Sequence, residues 1–552
     1  MTISDRYPES LLALIPATLF LLFLCPTGHA DQLAVNINAG NYNIVDQDGK
    51  QVIEMNDFDF LMVPGKPMLP AKLCLIALPP GAVVESVDVR GFNEITLQGT
   101  YNIKPTPPVI PLSAPSLFPE EHRQLKQKYI QNNESVYKSN NPYPAMRGKL
   151  TGKGTLRKYS YVSTAFYPFD YYPQTGKLTL YRSAEILINY NLPPPGSEEF
   201  ARAELLKHDT AAYERASRIF INFPEIEQLY QPGESSMAVP LEDHDYVIIT
   251  TEQLYDAIIS TGFVPWKSSL GYDLKIVFTS DDEIASQPGG DLAERIRNFL
   301  RDYYVSWGIE YVLIVGDCAS IPMRYCYPDP YNHTYYPYDP FNFGGEVPTD
   351  YYYADLSYTD TESWDSDGDG YYGEYEEDTP DFLAEVYVGR IPTNVPGRIE
   401  YALNKITAFE QDRGTWKDNA LHAGSILFFA NQNYSGYPKV DGADYMHHIE
   451  NDLMPGWTID HYAEKQGLEI SDYDWPAISE IAFIDSWRNG QYAVVNWAGH
   501  GAANGVVRSV WAWDDGDGVP ESPEINMPYL INMDSNLDDD YPSIVFALSC
   551  LV

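Results

Sequence analysis

The sequence predicts an α/β protein built on a doubly wound, mainly parallel sheet and preceded by a β-rich region. Three observations carry this. From Asp245 onward, short β-branched apolar runs alternate with helical stretches, the signature of strand, crossover helix and parallel strand. Before about Gly233 the runs are instead short, alternating in polarity, and separated by Pro and Gly turns. Near the end of the sequence, two apolar stretches of strand length run into chemically distinctive residues. Tyr492–Gly501 places His500 between two glycines, and Pro542–Cys550 ends on a cysteine behind a serine.

The 552 residues fit two to four domains. They divide into residues 1–30, a β-rich domain over 31–236, and an α/β domain over 237–552. With 36 basic against 78 acidic residues the formal charge is −42, which argues against binding nucleic acid or anionic membranes. It suits an exported protein or one that holds divalent cations. A 44% apolar content is ample for packed cores, and 44 tyrosines with 42 prolines favour loop-rich β structure over helical bundles.

The amino terminus reads as an address. Arg6 precedes an apolar core from Leu11 to Leu24, and Gly28-His29-Ala30 supplies small residues where a signal peptidase reads. A core of fourteen residues is too short to span a bilayer. Residues 1–30 therefore read as a signal peptide, with a secreted or cell-surface location, no transmembrane segment, and a mature start near Asp31. Four cysteines follow: Cys74, Cys318, Cys326 and Cys550. Cys318 and Cys326 form either a local disulfide or two unpaired thiols. No CxxC or Cys/His spacing suggests structural zinc.

In chain order, Val35–Asn38, Val83–Val89 and Glu185–Tyr190 read as strands, Pro105–Pro119 as an extended proline-rich stretch, and Glu199–Arg218 as helical. Pro232–Ser236 is a linker. Strands are then predicted at Asp245–Thr250, Leu274–Phe278, Tyr311–Val315, Glu385–Ile391, Ala423–Phe429 and near Thr458–Tyr462. Helices are predicted at Leu254–Leu270, Leu292–Trp307, Arg398–Asp412, Ala443–Leu453 and Ile478–Trp487. Between Gly316 and Glu385 lies a long tyrosine- and proline-rich excursion, of the kind that binds something or needs a ligand to order it.

A parallel sheet gathers its strand carboxyl ends on one edge, where open sheets collect their chemistry. If the last two strands are neighbours, His500 and Cys550 meet there. A thiol beside an imidazole is the minimum equipment of a cysteine nucleophile, since the thiolate is the reactive form.

Asn496-Trp-Ala-Gly-His-Gly501 followed by Phe546-Ala-Leu-Ser-Cys550 resembles the signature of the gingipain family of cysteine endopeptidases, within the caspase and legumain clan. The resemblance extends from about Asp245 to Val552. It implies a caspase–gingipain-like fold with His500 and Cys550 catalytic and the backbone amides of Gly501 and Cys550 stabilising the oxyanion. Gly65-Lys-Pro-Met-Leu-Pro70 and Leu78-Pro-Pro-Gly81 resemble the family's prodomain, which implies a chaperone and inhibitor that contacts the catalytic domain. Asp444-Tyr-Met-His447 resembles the segment bearing the aspartate that reads basic residues in arginine-specific gingipains. By that match Asp444 binds a substrate Arg or Lys; otherwise it is an exposed acid at a helix amino terminus, with Asp441 the neighbouring candidate. A third group orienting His500 is not identifiable, because Phe429-Ala-Asn431 departs from the family's pattern. In gingipain-like proteins the fold continues well past this cysteine, so the resemblance also implies a catalytic domain incomplete at Val552.

Asp365-Ser-Asp367-Gly-Asp369-Gly370-Tyr371, closed by Glu376, matches the twelve-position calcium loop in full. Alternate carboxylates converge, Gly370 permits the sharp turn, Tyr371 offers its carbonyl and Glu376 binds bidentately. A second acidic stretch fits partly: Asp515, Asp517, Gly518 and Glu524 match, while Trp513 stands at the first ligand position. It is either a second calcium loop or a solvated turn. The resemblance implies that Ca²⁺ is structural, with no catalytic cofactor. Two readings follow: a secreted, calcium-stabilised cysteine endopeptidase zymogen acting on protein or peptide substrates, or a catalytically inactive calcium-dependent surface protein with a degenerate peptidase fold. A caspase- or legumain-like enzyme is a closer third.

Overall fold

A computed structural model describes residues 31–47, 49–108, 119–233, 244–327, 347–356, 364–374, 377–435, 437–502, 504–532, 535, 537 and 540–549. The signal peptide, most of the linker, and parts of the proline-rich stretch and of the 316–385 excursion lie outside these residues.

The amino-terminal domain is a pair of antiparallel sheets sharing one core. Asp31–Asn38, Lys177–Asn191 and Val83–Thr96 pair in that order, with Phe169–Tyr172 also on the long central strand. The other sheet runs Asp59–Phe60, Pro70–Ala77, Tyr159–Phe166 and Gly148–Leu156. On the long strand Leu178, Leu180, Ala184, Ile186 and Ile188 are buried, because side chains on one face of a strand recur every second residue. They pack with Ile76, Val162 and Phe166 of the other sheet. Helix Pro119–Tyr137 lies across this sandwich, and Asn132 and Asn133 donate to the carbonyls of Pro64 and Gly65 (2.9 and 3.1 Å). Gly65, at φ +83°, leaves no room for a side chain, since a Cβ would stand 2.3 Å from the Tyr129 carbonyl oxygen.

The turn between Gly148–Leu156 and Tyr159–Phe166 joins this domain to the next. Arg157 adopts φ +52° there and is 3% exposed. Its Nε donates to Asp209 (2.6 Å), Nη1 to the carbonyls of Ile309 (2.8 Å) and Glu385 (2.9 Å), and Nη2 to that of Tyr304 (3.3 Å). Ile309 and Glu385 each stand two residues ahead of a strand of the first parallel sheet. The amino-terminal domain therefore docks on that sheet's amino edge, away from the strand carboxyl ends.

The predicted parallel α/β architecture resolves into two four-stranded parallel sheets. The first runs Leu274–Phe278, Tyr246–Thr250, Tyr311–Val315, Tyr387–Ile391. Helix Leu292–Tyr303 covers one face, packing on Val247, Ile249, Val312 and Ile314. Tyr255–Ile259, Phe263–Ser269 and Pro396–Gln411 cover the other, on Ile248, Leu313 and Val315. The second sheet runs Thr458–Ala463, Asn419–Gly424, Val494–Ala498, Ile544–Leu548. Helix Gly442–Leu453 lies on one face and Glu480–Asn489 on the other. Among the described residues its last strand pairs on one side only, and Phe546 and Leu548 are exposed.

Some predicted boundaries shift for identifiable reasons. The strand expected at Ala423–Phe429 starts at Asn419 and breaks at Ser425, after which Ile426–Phe428 pairs antiparallel with Val440–Asp441. Its first half looked too polar because His422 is a wholly buried imidazole inside the sheet. The helix expected over Leu254–Leu270 is interrupted at Ser260–Gly262, and that over Glu199–Arg218 splits around Asp209. Cys318 and Cys326 are free thiols, Cys326 buried and Cys318 exposed, which resolves that alternative against the disulfide.

Candidate active site

The strands predicted to carry the chemistry are neighbours. Val494–Ala498 and Ile544–Leu548 are paired in parallel, with the last register pair Ala498–Leu548. His500 lies two residues beyond the first strand, and sequence position 550 two residues beyond the second. Cys550 itself is outside the described residues. Two bonds tie the strand ends together: Gly499 N–H donates to the Leu548 carbonyl (3.1 Å), and the Trp497 indole to the Ser549 hydroxyl (3.3 Å).

His500 opens a short hairpin, His500–Ala502 against Gly505–Val507, with Gly501 opposite Val506. Its Nε2 stands 3.0 Å from the Leu427 carbonyl oxygen. A carbonyl only accepts, so Nε2 carries the proton, and in the neutral ring Nδ1 is the free base. Burial lowers the His500 pKa below its usual 6.5, while the bond to Leu427 opposes that shift. The Leu427 carbonyl is thus the group that orients the His500 ring in the structure. It lies two residues before the Phe429–Asn431 segment, and no side-chain pattern could have revealed a main-chain oxygen.

Under the same strand tips lies a buried polar pair. The Asn496 side chain meets His422 Nε2 at 2.8 Å, and both are almost fully buried. His422 Nδ1 and Asn496 Oδ1 have no hydrogen-bond partner among the described residues. Burial and the neighbouring His461 lower the His422 pKa to about 4.

Helix Gly442–Leu453 begins at this same edge, where Gly442 N–H bonds the Ser425 carbonyl (2.8 Å). Asp441 is 2% exposed and caps the helix by accepting from Ala443 N–H (3.0 Å). Asp444 is exposed in the first turn and accepts a hydrogen bond from Tyr473; burial of that phenol and this bond raise its pKa to about 12. Asp444, not Asp441, therefore presents a carboxylate to solvent.

In the first acidic loop, carboxylate oxygens of Asp365, Asp367 and Asp369 lie within 4.8 Å of one another. Asp367 also groups with Glu374 and Glu377, and Glu374 is 5% exposed. Glu376 lies outside the described residues. Asp369 accepts from Tyr371 N–H (2.8 Å), and Gly368 and Gly370 take the left-handed backbone of the turn. Glu374 and Glu377 escaped the template because they fall off its spacing.

The second acidic stretch brings Asp514, Asp515 and Glu524 together, and likewise Asp515, Asp517 and Glu521. Asp514 and Glu521 were not anticipated. Buried Glu524 accepts from Asp515 N–H (2.9 Å) and the Trp511 indole (3.1 Å). This loop is fastened to the segment after Leu427: the Tyr434 hydroxyl donates to Asp517, and Asn433 N–H to the Pro520 carbonyl (2.8 Å). All these oxygen donors suit a hard divalent cation. Among the described residues, no helix is long and apolar enough to cross a membrane.

The model of peptidase family C25 matches residues 239–551, and that of the C25 propeptide residues 36–226. No curated protein matches. Among solved structures, the complex of Porphyromonas gingivalis RgpB pro- and mature domains is 15% identical, covering 36% of this chain and 95% of that one, with a TM-score of 0.26. The zymogen study of gingipain K from Porphyromonas gingivalis gives 18% identity over 29% of this chain and 88% of that one, with a TM-score of 0.23. The Arg-specific cysteine proteinase gingipain R gives 16% identity and a TM-score of 0.34, covering 57% of this chain and 56% of that one. These structural likenesses are weak, and the family models carry the assignment.

Proposed function

Because the chain belongs to peptidase family C25 and carries the family's propeptide ahead of its peptidase region, we propose that it is the zymogen of a secreted, calcium-stabilised cysteine endopeptidase. The observation that supports this most is the His500 ring, turned by the Leu427 carbonyl so that Nδ1 is its base, two residues past a strand paired with the one leading to Cys550.

The reaction is hydrolysis of a peptide bond through a thioester. Nδ1 of His500 takes the Cys550 thiol proton, and the thiolate attacks the scissile carbonyl carbon. The oxyanion of the tetrahedral intermediate lies against the amides of Gly501 and Cys550. Collapse breaks the C–N bond, and the departing amine takes the proton from His500. Water, deprotonated by the same ring, then opens the thioester; the acid product leaves and the thiol is restored. Asp444 pairs with a substrate Arg or Lys.

Calcium is held by Asp365, Asp367, Asp369, the Tyr371 carbonyl and Glu376, with Glu374 and Glu377 close by, and at a second position by Asp515 and Asp517 with their acidic neighbours. Its part is structural. It neutralises clustered carboxylates and stiffens loops, the second of which is tied through Tyr434 and Asn433 to the chain after Leu427. Residues 1–30 direct export.

The test is hydrolysis of peptides carrying Arg, Lys, Asp or Asn before the scissile bond, using calcium-loaded protein from which the propeptide has been released. Cleavage after Arg or Lys that vanishes in Cys550→Ala and His500→Ala is expected. Cleavage after Asp or Asn would move the specificity to the caspase or legumain type. Absence of hydrolysis in a folded protein would leave a calcium-dependent surface protein with an inactive peptidase fold.

A further inference from the structure

We infer that the buried ion pair Glu464–Arg508 is a positioning device for His500; the inference rests on the reading of His500 as the base. Arg508 is 4% exposed and Glu464 fully buried. Arg508 Nη1 donates to both carboxylate oxygens (2.9 and 2.8 Å), and Nη2 to the Gln466 side chain (3.0 Å). Burial raises the Glu464 pKa, and Arg508 opposes the rise.

The placement of Arg508 is what gives the pair its role. One residue before it, Val507 lies opposite His500 in the hairpin. One residue after it, Ser509 bridges Ile426 and donates its N–H to the Ser425 hydroxyl (3.1 Å). Ile426 adjoins Leu427, whose carbonyl holds the imidazole. Arg508 therefore lies in the chain between the register partner of His500 and a residue bound beside the ring's acceptor. Glu464 anchors it to the sheet, since its N–H donates to the Gly424 carbonyl (3.1 Å) at the tip of the central strand. The pair ties the hairpin, the acceptor segment and the strand tips into one unit.

A buried ion pair is seldom the most stable filling for its volume, because apolar residues of similar size avoid the desolvation cost. A forked guanidinium held by a carboxylate instead fixes direction. With the pair removed, only the Ser509 contacts to Ile426 and Ser425 hold the hairpin to the 425–428 segment, and its direction is no longer fixed. His500 then loses its fixed acceptor and its hold on the Cys550 proton.

The test measures the pH dependence of Cys550 alkylation by iodoacetamide in the full chain, read by peptide mapping so that other thiols are distinguished. Glu464→Gln keeps the shape and an acceptor oxygen; the double replacement Glu464→Leu with Arg508→Met restores packing without direction. Both are expected to slow alkylation at pH 7 at least tenfold and to move its midpoint up toward that of an unassisted thiol, with Arg508→Lys intermediate. A merely structural role would lower the melting temperature and leave the midpoint unchanged. An unaltered profile in whichever of the two variants folds, judged by circular dichroism, overturns the inference. His500→Ala run alongside separates the two readings: if it alone abolishes the assisted alkylation, His500 is the base and the clamp is not needed.

Discussion

The two parallel sheets share strand number and doubly wound plan, yet they bury different things. Where helix Leu292–Tyr303 packs on the first sheet, Val247, Ile249, Val312 and Ile314 form an apolar core, and buried charge lies beside it, with Arg157 at the amino edge and Arg297 on the helix bonded to the carbonyls of Tyr352 and Asp355. The second carries His422 and Asn496 within its strands and Glu464–Arg508 at its tips. A buried donor or acceptor left unpaired costs about 1–3 kcal/mol, and in the second sheet that cost falls within the strands themselves, at His422 Nδ1 and Asn496 Oδ1. Sequences depart from local consistency where function requires it, and one such departure, the His422–Asn496 pair, involves the strand that leads to His500. The first sheet is the one clamped by the propeptide region, and the second is the one that carries the candidate site.

The sharpest way to break this contrast is Arg157→Ala. It strips Asp209 of its buried cation and three carbonyls of their donor, and should cost about 3–5 kcal/mol, the usual penalty for halving a buried pair. Denaturant unfolding checks it; a loss below about 1 kcal/mol would mean that Arg157 does not hold the first sheet's edge.

Acid should act on the second sheet instead. The folded-state pKa of His422 is about 4 against an ordinary 6.5, so between those values the unfolded chain binds a proton that the folded chain refuses. Stability is therefore full above about pH 6.5 and falls as pH drops toward 4, by about 3 kcal/mol. Replacing His422 and Asn496 together by leucine should flatten that part of the pH–stability curve, although the first sheet is untouched.

Chelation should have a somewhat smaller effect. Removing calcium from one site, where it is present at a hundredfold excess over its dissociation constant, lowers stability by about 2.7 kcal/mol. Differential scanning calorimetry with and without chelator reads this. Proteolysis at residues 365–378 and 514–524 then tells which loop was held.

The smallest effect on stability belongs to Asp444→Asn, within about 0.5 kcal/mol for an exposed side chain. Its consequence should appear in specificity: kcat/KM for Arg and Lys substrates falls while that for a neutral residue does not.

The fold was legible wherever apolar periodicity was uninterrupted. Tyr311–Val315 and Leu274–Phe278 lie where the sequence places them. Boundaries slipped where a polar residue was buried with a partner that the sequence cannot display, as at His422. The pairing of the two terminal strands was legible because His500 and Cys550 end similar apolar runs. The orienting carbonyl of Leu427 and the Glu464–Arg508 clamp were not. The first has no side-chain identity, and the second joins residues 44 apart in sequence. Of the first acidic loop, the spacing revealed Asp365, Asp367 and Asp369, while Glu374 and Glu377 enter only through the way the chain folds back.

The role of His500 and Cys550 is tested most directly by covalent labelling of the calcium-loaded protein, its propeptide released, with a peptide carrying an electrophilic carbonyl, located by mass spectrometry. Modification confined to Cys550 in the native protein, and at least a hundredfold slower in His500→Ala, is the predicted result. Equal labelling of Cys550 with and without the imidazole, or labelling only at Cys318, would contradict it.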